Sequence, residues 1–580
     1  MKRYAGLLII FLLFAGVMYG AVSCRSKPSA GVSSDKVTLD SSAESGGGAS
    51  DLEQSSQGGI SEAQPGTPIQ TASASPGGTT GNQTGGLPLD TLRDYGSWSL
   101  NNALEAAAKY QLFFKSGEAD SYVGDPMPMF DNGQFNIFHL LDERGKSNDN
   151  GFHPIGLAQS GDLTSYTDRG VVVPFTPNIA FQDAALGTGS VVKKGGVYYC
   201  FYTGHNSGLK PMEAVMSAKS SDMIGWTKTS LKIFAKDAGA GFNEDDFRDP
   251  HVVWIPGKNE YWMLVATRQS NRAVIAKYIS SDLESWRYDS VMYKCEYSSV
   301  NMLECPDLFQ IGNYWYLIFS TQEFTKLGGT TRYAMAQSPD GPFTEPMYNT
   351  LDSMAFYAGK TASDGKNRYL FGWVRTLRNL SNTGEQDWAG NLTVHKLIAE
   401  ADGRLSLSAT DAAKTLISQE KGFDDRSMLV RGDYEIKDGH YILKGGNSVL
   451  LAANMTNRLR VSGKVKYADG TSDFGLVLGS DRALTKGTYF RFAPDQGYIR
   501  SDGFASSVFA NQEPGWHIRA DLQPGRVSTF ELVVEGSVAV IYIDGKTALS
   551  SRMYGINQGY LGFFCGKSGQ AEFFDMKLYN

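Results

Sequence analysis

Apolar and polar residues alternate along most of this chain with the two-residue period of half-buried strands, and no long stretch of the repeat region described below carries a helical period. One aromatic, β-branched strand recurs: "QFNIFHL" from residue 134, "VYYCFYTG" from 197, "EYWMLVAT" from 260, "NYWYLIFS" from 313 and "NRYLFGWV" from 367, with starts 63, 63, 53 and 54 residues apart. A second element trails most of them: "SGDLTSY", "SSDMIGW", "SSDLESW" and "SPDGPF", whose Asp162, Asp222, Asp282 and Asp340 are spaced 60, 60 and 58 residues apart. Five such units of short strands and tight turns predict a five-bladed β-propeller over residues 95–410. The Ser-Asp turns read as blade-closing structure, so Trp226 and Trp286 are not assigned to a ligand.

After "TDAAKTLISQEKGF" the pattern changes to short alternating runs such as "RLRVSGKVKYADG" and "TFELVVEGSVAVIYIDG". These predict an antiparallel β-sandwich over residues 420–580 and complete an all-β fold.

The first hundred residues have another character. Lys2 and Arg3 precede an apolar run that ends in "GAVSC", the order of a secretory signal of lipoprotein type over residues 1–23, with Cys24 as the lipidated residue. The competing expectation is a signal anchor, since the run is nearly long enough to span a bilayer. Residues 24–94 are rich in Ser, Gly and Thr and lack aromatics, which predicts a flexible tether. Together these predict export across the inner membrane and a lipid anchor at the cell envelope or surface.

A net charge of −7 and the lack of a long basic run argue against a nucleic-acid partner. The other four cysteines, Cys200, Cys295, Cys305 and Cys565, form no CxxC pair, and seven scattered histidines form no zinc-like spacing, so neither a metal nor a cofactor is expected.

Three acids share a setting: Asp125 in "VGDPMPMF", Asp249 in "FRDPHVVW" and Glu304 in "LECPDLF" are each followed by Pro or Cys-Pro and then by a strand. Asp-Pro alone is a common turn. Three such acids at blade starts are expected to converge on one end of the channel, where they would repel unless used. Carboxyl pairs in differing environments are the machinery of glycoside hydrolysis. Glu304, crowded in sequence by Leu303 and Cys305, reads as the proton donor, because an apolar setting raises a carboxyl pKa.

"RDP" at 248–250 and "ECPDLF" at 304–309 resemble the signature motifs of family-32 glycoside hydrolases, the invertase, levanase and inulinase group, and "GTGSVV", "FYTGHN", "FYAGKT" and "FGWV" are similar to further family segments. The resemblance spans roughly residues 115–580. It implies a five-bladed propeller with a C-terminal sandwich and retaining cleavage of β-fructosides: fructan, fructo-oligosaccharide or sucrose. It implies that Asp125 is the nucleophile, Glu304 the acid/base, and Asp249 with Arg248 the holder of sugar hydroxyls. Ser190, Trp373 and Trp388 are expected to contact an oligo- or polysaccharide substrate, the two tryptophans from the rim.

The first motif departs from the family's Asn-Asp-Pro-Asn-Gly. Here it reads Gly124-Asp125-Pro126-Met127-Pro128, and the Gln expected about fifteen residues later is Leu140. Two other readings follow from that departure: an inverting arabinan- or xylan-type hydrolase on the related propeller, and a non-catalytic, membrane-tethered glycan-binding protein.

Overall fold

The computed structural model describes residues 105, 109–116, 121–144, 153–323, 329–423, 429–502 and 516–580. The expected signal segment, Cys24 and the tether lie outside them.

The repeat becomes five radially packed blades. Blade one holds β1 (Ser121–Asp131), β2 (Gln134–Glu143), β3 (Ile155–Ser160) and β4 (Thr167–Val173). Blade two holds β5 (Ala185–Lys194), β6 (Val197–His205), β7 (Glu213–Ser220) and β8 (Thr227–Ile233). Blade three holds β9 (Phe242–Ile255), β10 (Glu260–Gln269), β11 (Arg272–Ser280) and β12 (Arg287–Lys294). Blade four holds β13 (Val300–Ile311), β14 (Tyr314–Glu323) and β15 (Thr331–Ala336). Blade five holds β16 (Phe356–Ser363), β17 (Arg368–Leu377), β18 (Gln386–Ala399) and β19 (Leu405–Ser408), and β18 also pairs with β1 to join the last blade to the first. The five aromatic runs are the second strands, one per blade.

The Ser-Asp turns close the blades as expected. Asp222 accepts the main-chain N–H groups of Ile224 and Gly225, and Asp282 those of Glu284 and Ser285. Trp226 packs edge-on against Phe138 of blade one, and Trp286 against Phe201 of blade two. Each turn therefore also seals one blade to its predecessor.

All five inner strands carry one extra residue at the same level. The register slips between Gly124 and Met127, Gly187 and Gly189, Arg248 and His251, Glu304 and Asp307, and Tyr357 and Lys360. In β1, β9 and β13 a proline follows (Pro126, Pro250, Pro306) and removes a ladder donor, which confines proline to bulges and strand edges. In β5 the bulge instead needs Gly189, where a Cβ would come within 1.7 Å of the Phe201 carbonyl oxygen. Bulges bend strands and re-aim side chains, and these five aim theirs into the channel.

The sandwich stacks an eight-stranded sheet on a seven-stranded one around a core that includes Leu476, Phe490, Leu532, Ile541, Phe563 and Phe573. Its Val533, Val538, Val540, Tyr542 and Ala548 join the propeller's Ala355, Phe356, Val394 and Leu407 in one apolar cluster. Polar links cross the same boundary. Buried Arg552 donates to the Val374 and Arg375 carbonyls and to Asn391, and Asp352 accepts from the Ser550 N–H and hydroxyl. Buried Glu535 accepts the N–H groups of Gln111, Leu112 and Phe113. The free cysteines Cys200, Cys295, Cys305 and Cys565 are all buried, so Cys295 and Cys305 are not paired.

Candidate active site

The bulges sort the inner-strand residues into layers down the channel. The uppermost layer is Gly124, Gly187, Arg248, Glu304 and Tyr357; the next is Asp125, Thr188, Asp249, Cys305 and Ala358; below lie Met127, Gly189, His251, Asp307 and Lys360. The three acids do converge, from blades one, three and four. Asp125 and Asp249 occupy equivalent positions, whereas Glu304 stands one residue earlier, beside Arg248 and Tyr357. The equivalent of the aspartates on β13 is Cys305.

Asp125 and Asp249 have φ values of 30° and 61°, in the left-handed region that disfavours branched and bulky side chains. Such conformations cost about 1–3 kcal/mol each and persist where the surroundings enforce them, commonly at active sites. Here the enforcement is visible. The Thr188 hydroxyl donates to the Asp125 carbonyl, the Asp249 N–H donates to the Thr203 hydroxyl, and the Asp249 carboxylate accepts the Cys305 N–H at 2.9 Å.

Glu304 does not sit in the apolar pocket its sequence neighbours suggest. Leu303 and Cys305 alternate away from it into separate clusters, because adjacent strand residues face opposite sides. Its own oxygens are engaged instead. Arg248 Nη2 donates to Oε1 at 2.9 Å, and the Tyr357 hydroxyl donates to Oε2 at 2.5 Å. Arg248 is itself held by Glu213 and Asp246. Glu213 also accepts the Phe247 N–H; although it is buried, His205 and Arg248 hold its carboxyl below the usual value.

Burial, followed by the charge of Glu304, pushes Asp125 up to about 6 and Asp249 up to about 7. Three forces oppose this at Asp125: the indole N–H of Trp373, 3.0 Å from Oδ1, and the charges of Lys360 and Arg375. Asp125 also raises Asp249, so the titrations of the two aspartates are interdependent. Beneath it, His251 faces Asp307 at 3.4 Å and burial pushes its imidazole down to about 4, while Lys360 donates to the Gly189 carbonyl.

The other expected contacts divide. Trp373 is fully buried, bonded to Asp125, and is not a rim residue. The Ser190 hydroxyl is engaged by the main chain: it donates to the Pro250 carbonyl and accepts the Val252 N–H, bracing the bend that presents Asp249. Trp388 is half-buried against Gly124, beside the acids. Tyr357, Glu213, Lys360 and Arg375 were given no role by sequence reasoning. Aligning the bulges would have found Tyr357, which stands in register with Arg248 and Glu304. Arg375 approaches from β17, its guanidinium 4.2 Å from the Tyr357 ring centre, and no sequence signal marks it.

A five-bladed propeller with three carboxyls, an arginine and a tyrosine converging on one channel mouth defines a carbohydrate hydrolase of the acid-pair type. The family model described as the glycosyl hydrolases family 32 N-terminal domain matches residues 119–409. The chain belongs to glycosyl hydrolase family 32. It is 25% identical over 397 residues to the sucrose-6-phosphate hydrolase of Escherichia coli, covering 63% of this chain and 74% of that protein. To the levanbiose-producing levanase of Bacillus subtilis it is 24% identical over 474 residues, covering 77% and 86%. Among solved structures, fructan 1-exohydrolase IIa from Cichorium intybus with 1-kestose shares the fold at a TM-score of 0.63 and 18% identity, over 82% of this chain and 98% of that one. The sucrose-6-phosphate hydrolase from Lactobacillus gasseri does so at 0.62 and 19%, over 84% and 97%.

Proposed function

We propose that the protein is a retaining β-fructosidase acting on fructans or fructo-oligosaccharides. The observation that carries this reading is the placement of Asp125 and Glu304 in adjacent layers of one channel mouth, close enough for each charge to act on the other. Relatives named for sucrose-6-phosphate, levan and fructan support the substrate class.

In this mechanism Asp125, ionised above about 6, attacks the anomeric carbon. Trp373 fixes the attacking carboxylate by its N–H. Glu304 delivers a proton to the leaving oxygen, then takes one from the water that hydrolyses the fructosyl-enzyme ester. Asp249 accepts sugar hydroxyls, and Arg248 keeps Glu304 aimed at the bond. Retaining enzymes hold the two carboxyls about 5–5.5 Å apart, against roughly 6.5–9.5 Å for inverting ones. NMR of the first-formed anomer tests the reading: β-fructofuranose is expected, and the α-anomer would overturn it.

We also infer that Cys24 is lipidated and that the tether displays the catalytic unit away from an envelope membrane. The "AVSC" ending and the aromatic-free segment after it support this.

A further inference from the structure

We propose that Gly124 and Trp388 are a matched pair that sets substrate preference, with Trp388 serving as an aromatic platform for a third sugar unit of an extended fructoside. This rests on the reading of the site as a β-fructosidase. A Cβ added at Gly124 would lie 2.2, 2.5 and 2.9 Å from Cη2, Cζ2 and Cζ3 of Trp388, so the indole fills the volume that any side chain at 124 would need. The ring is held from several directions. It stacks on His153 at 4.3 Å and meets Trp373 edge-on at 5.8 Å. Its carbonyl accepts from Arg144, which pairs with Asp142 and Asp387. Ala389, at φ 62°, and the bulge opposite Arg375 and Thr376 turn Trp388 towards Gly124.

Leu140 is the cross-strand partner of Gly124 and belongs to the apolar cluster against which Trp388 packs. With Leu140 buried behind them, Gly124 and Trp388 form a wall beside Asp125 that offers no side-chain acceptor, and the indole N–H is its single donor. Sugar hydroxyls facing it would lose hydrogen bonds they make in water, whereas the C–H face of a furanose ring packs well on an indole. A disaccharide draws little from such a wall. A fructoside of three or more units can lay its next ring on it.

The test compares the wild type with Gly124→Asn, Trp388→Ala and the double variant. The readouts are kcat/KM on sucrose and on a fructo-oligosaccharide of four or more units, together with Tm. Gly124→Asn is expected to lose at least 100-fold on both substrates and to lower Tm, because amide and indole claim one volume. Trp388→Ala is expected to lower the oligosaccharide-to-sucrose ratio at least tenfold, mainly through KM. The double variant should regain Tm and at least tenfold of the sucrose activity lost in Gly124→Asn. An unchanged ratio in Trp388→Ala, or a double variant no better than Gly124→Asn, overturns the pairing alone. A wild type inactive on every fructoside overturns the site reading, and this inference with it.

Discussion

Trp373 donates its indole N–H to Asp125 Oδ1 at 3.0 Å across 248 residues of sequence, binding the last blade to the first at the site. The bond opposes the burial and the Glu304 charge that push Asp125 up to about 6. A hydrogen bond to a charged group is worth about 1.5–3 kcal/mol. Trp373→Phe is therefore expected to lower kcat/KM about 10- to 100-fold and to move the acid limb of the pH–rate profile above 6. A lowered rate with an unmoved limb would show that Trp373 only fills space.

Asp125→Asn and Glu304→Gln each remove a distinct chemical role and should lower kcat by several orders of magnitude with the fold intact. The two should differ with an activated substrate. Glu304→Gln should recover rate with a leaving group that needs no proton, and Asp125→Asn should not. Equal recovery would contradict the assigned roles.

Asp249 is expected to weaken the fold at neutral pH. Its carboxyl releases a proton near 3.8 in the unfolded chain and near 7 in the folded one, mainly because burial penalises the charge. Between those values the folded state keeps a proton that the unfolded chain has lost, so its contribution to stability declines as pH rises through about 7. At about 1.4 kcal/mol per pH unit, Asp249→Asn should gain on the order of 2–4 kcal/mol at pH 8 and nothing below about pH 4, while losing activity. Denaturant melts at the two pH values check this, and a gain of equal size at both would refute it.

Arg552 offers four bonds to groups at the propeller–sandwich boundary: two carbonyls, Asn391 and Ser537. Arg552→Ala takes this donor from the two carbonyls and Asn391, while Ser537 keeps its bond to Tyr110; at about 1–3 kcal/mol for each buried group that loses its partner, a loss of at least ~3 kcal/mol is expected. A chain ending at Gly422 would expose the apolar cluster shared with Val533, Val540 and Tyr542, and should aggregate. A soluble, fully active truncation would mean that the sandwich is a separable module.

Cys24→Ala should release the protein from membranes, since the tether has no apolar segment of its own. Retention after alkaline washing would instead identify residues 5–22 as a membrane-spanning anchor.

The sequence by itself determined the architecture, because blade number and sandwich are written in local alternation and in a repeat of about sixty residues, and short-range side-chain preference suffices to read both. It also marked Asp125, Asp249 and Glu304, because proline after the first residue of each bulge leaves a visible trace. Only the tertiary structure decided what surrounds them. Glu304 looked apolar beside Leu303 and Cys305, yet its true neighbours, Arg248 and Tyr357, come from other blades at separations of 56 and 53 residues. Ser190 and Trp373 looked like sugar contacts, yet the hydroxyl of one braces a main-chain bend and the indole of the other holds Asp125. Gly124 looked like a lost sugar contact until the fold brought Trp388 into the space it leaves. Strand alternation reveals which way a side chain points; which residues it meets across a channel depends on how five separate blades are set around one axis.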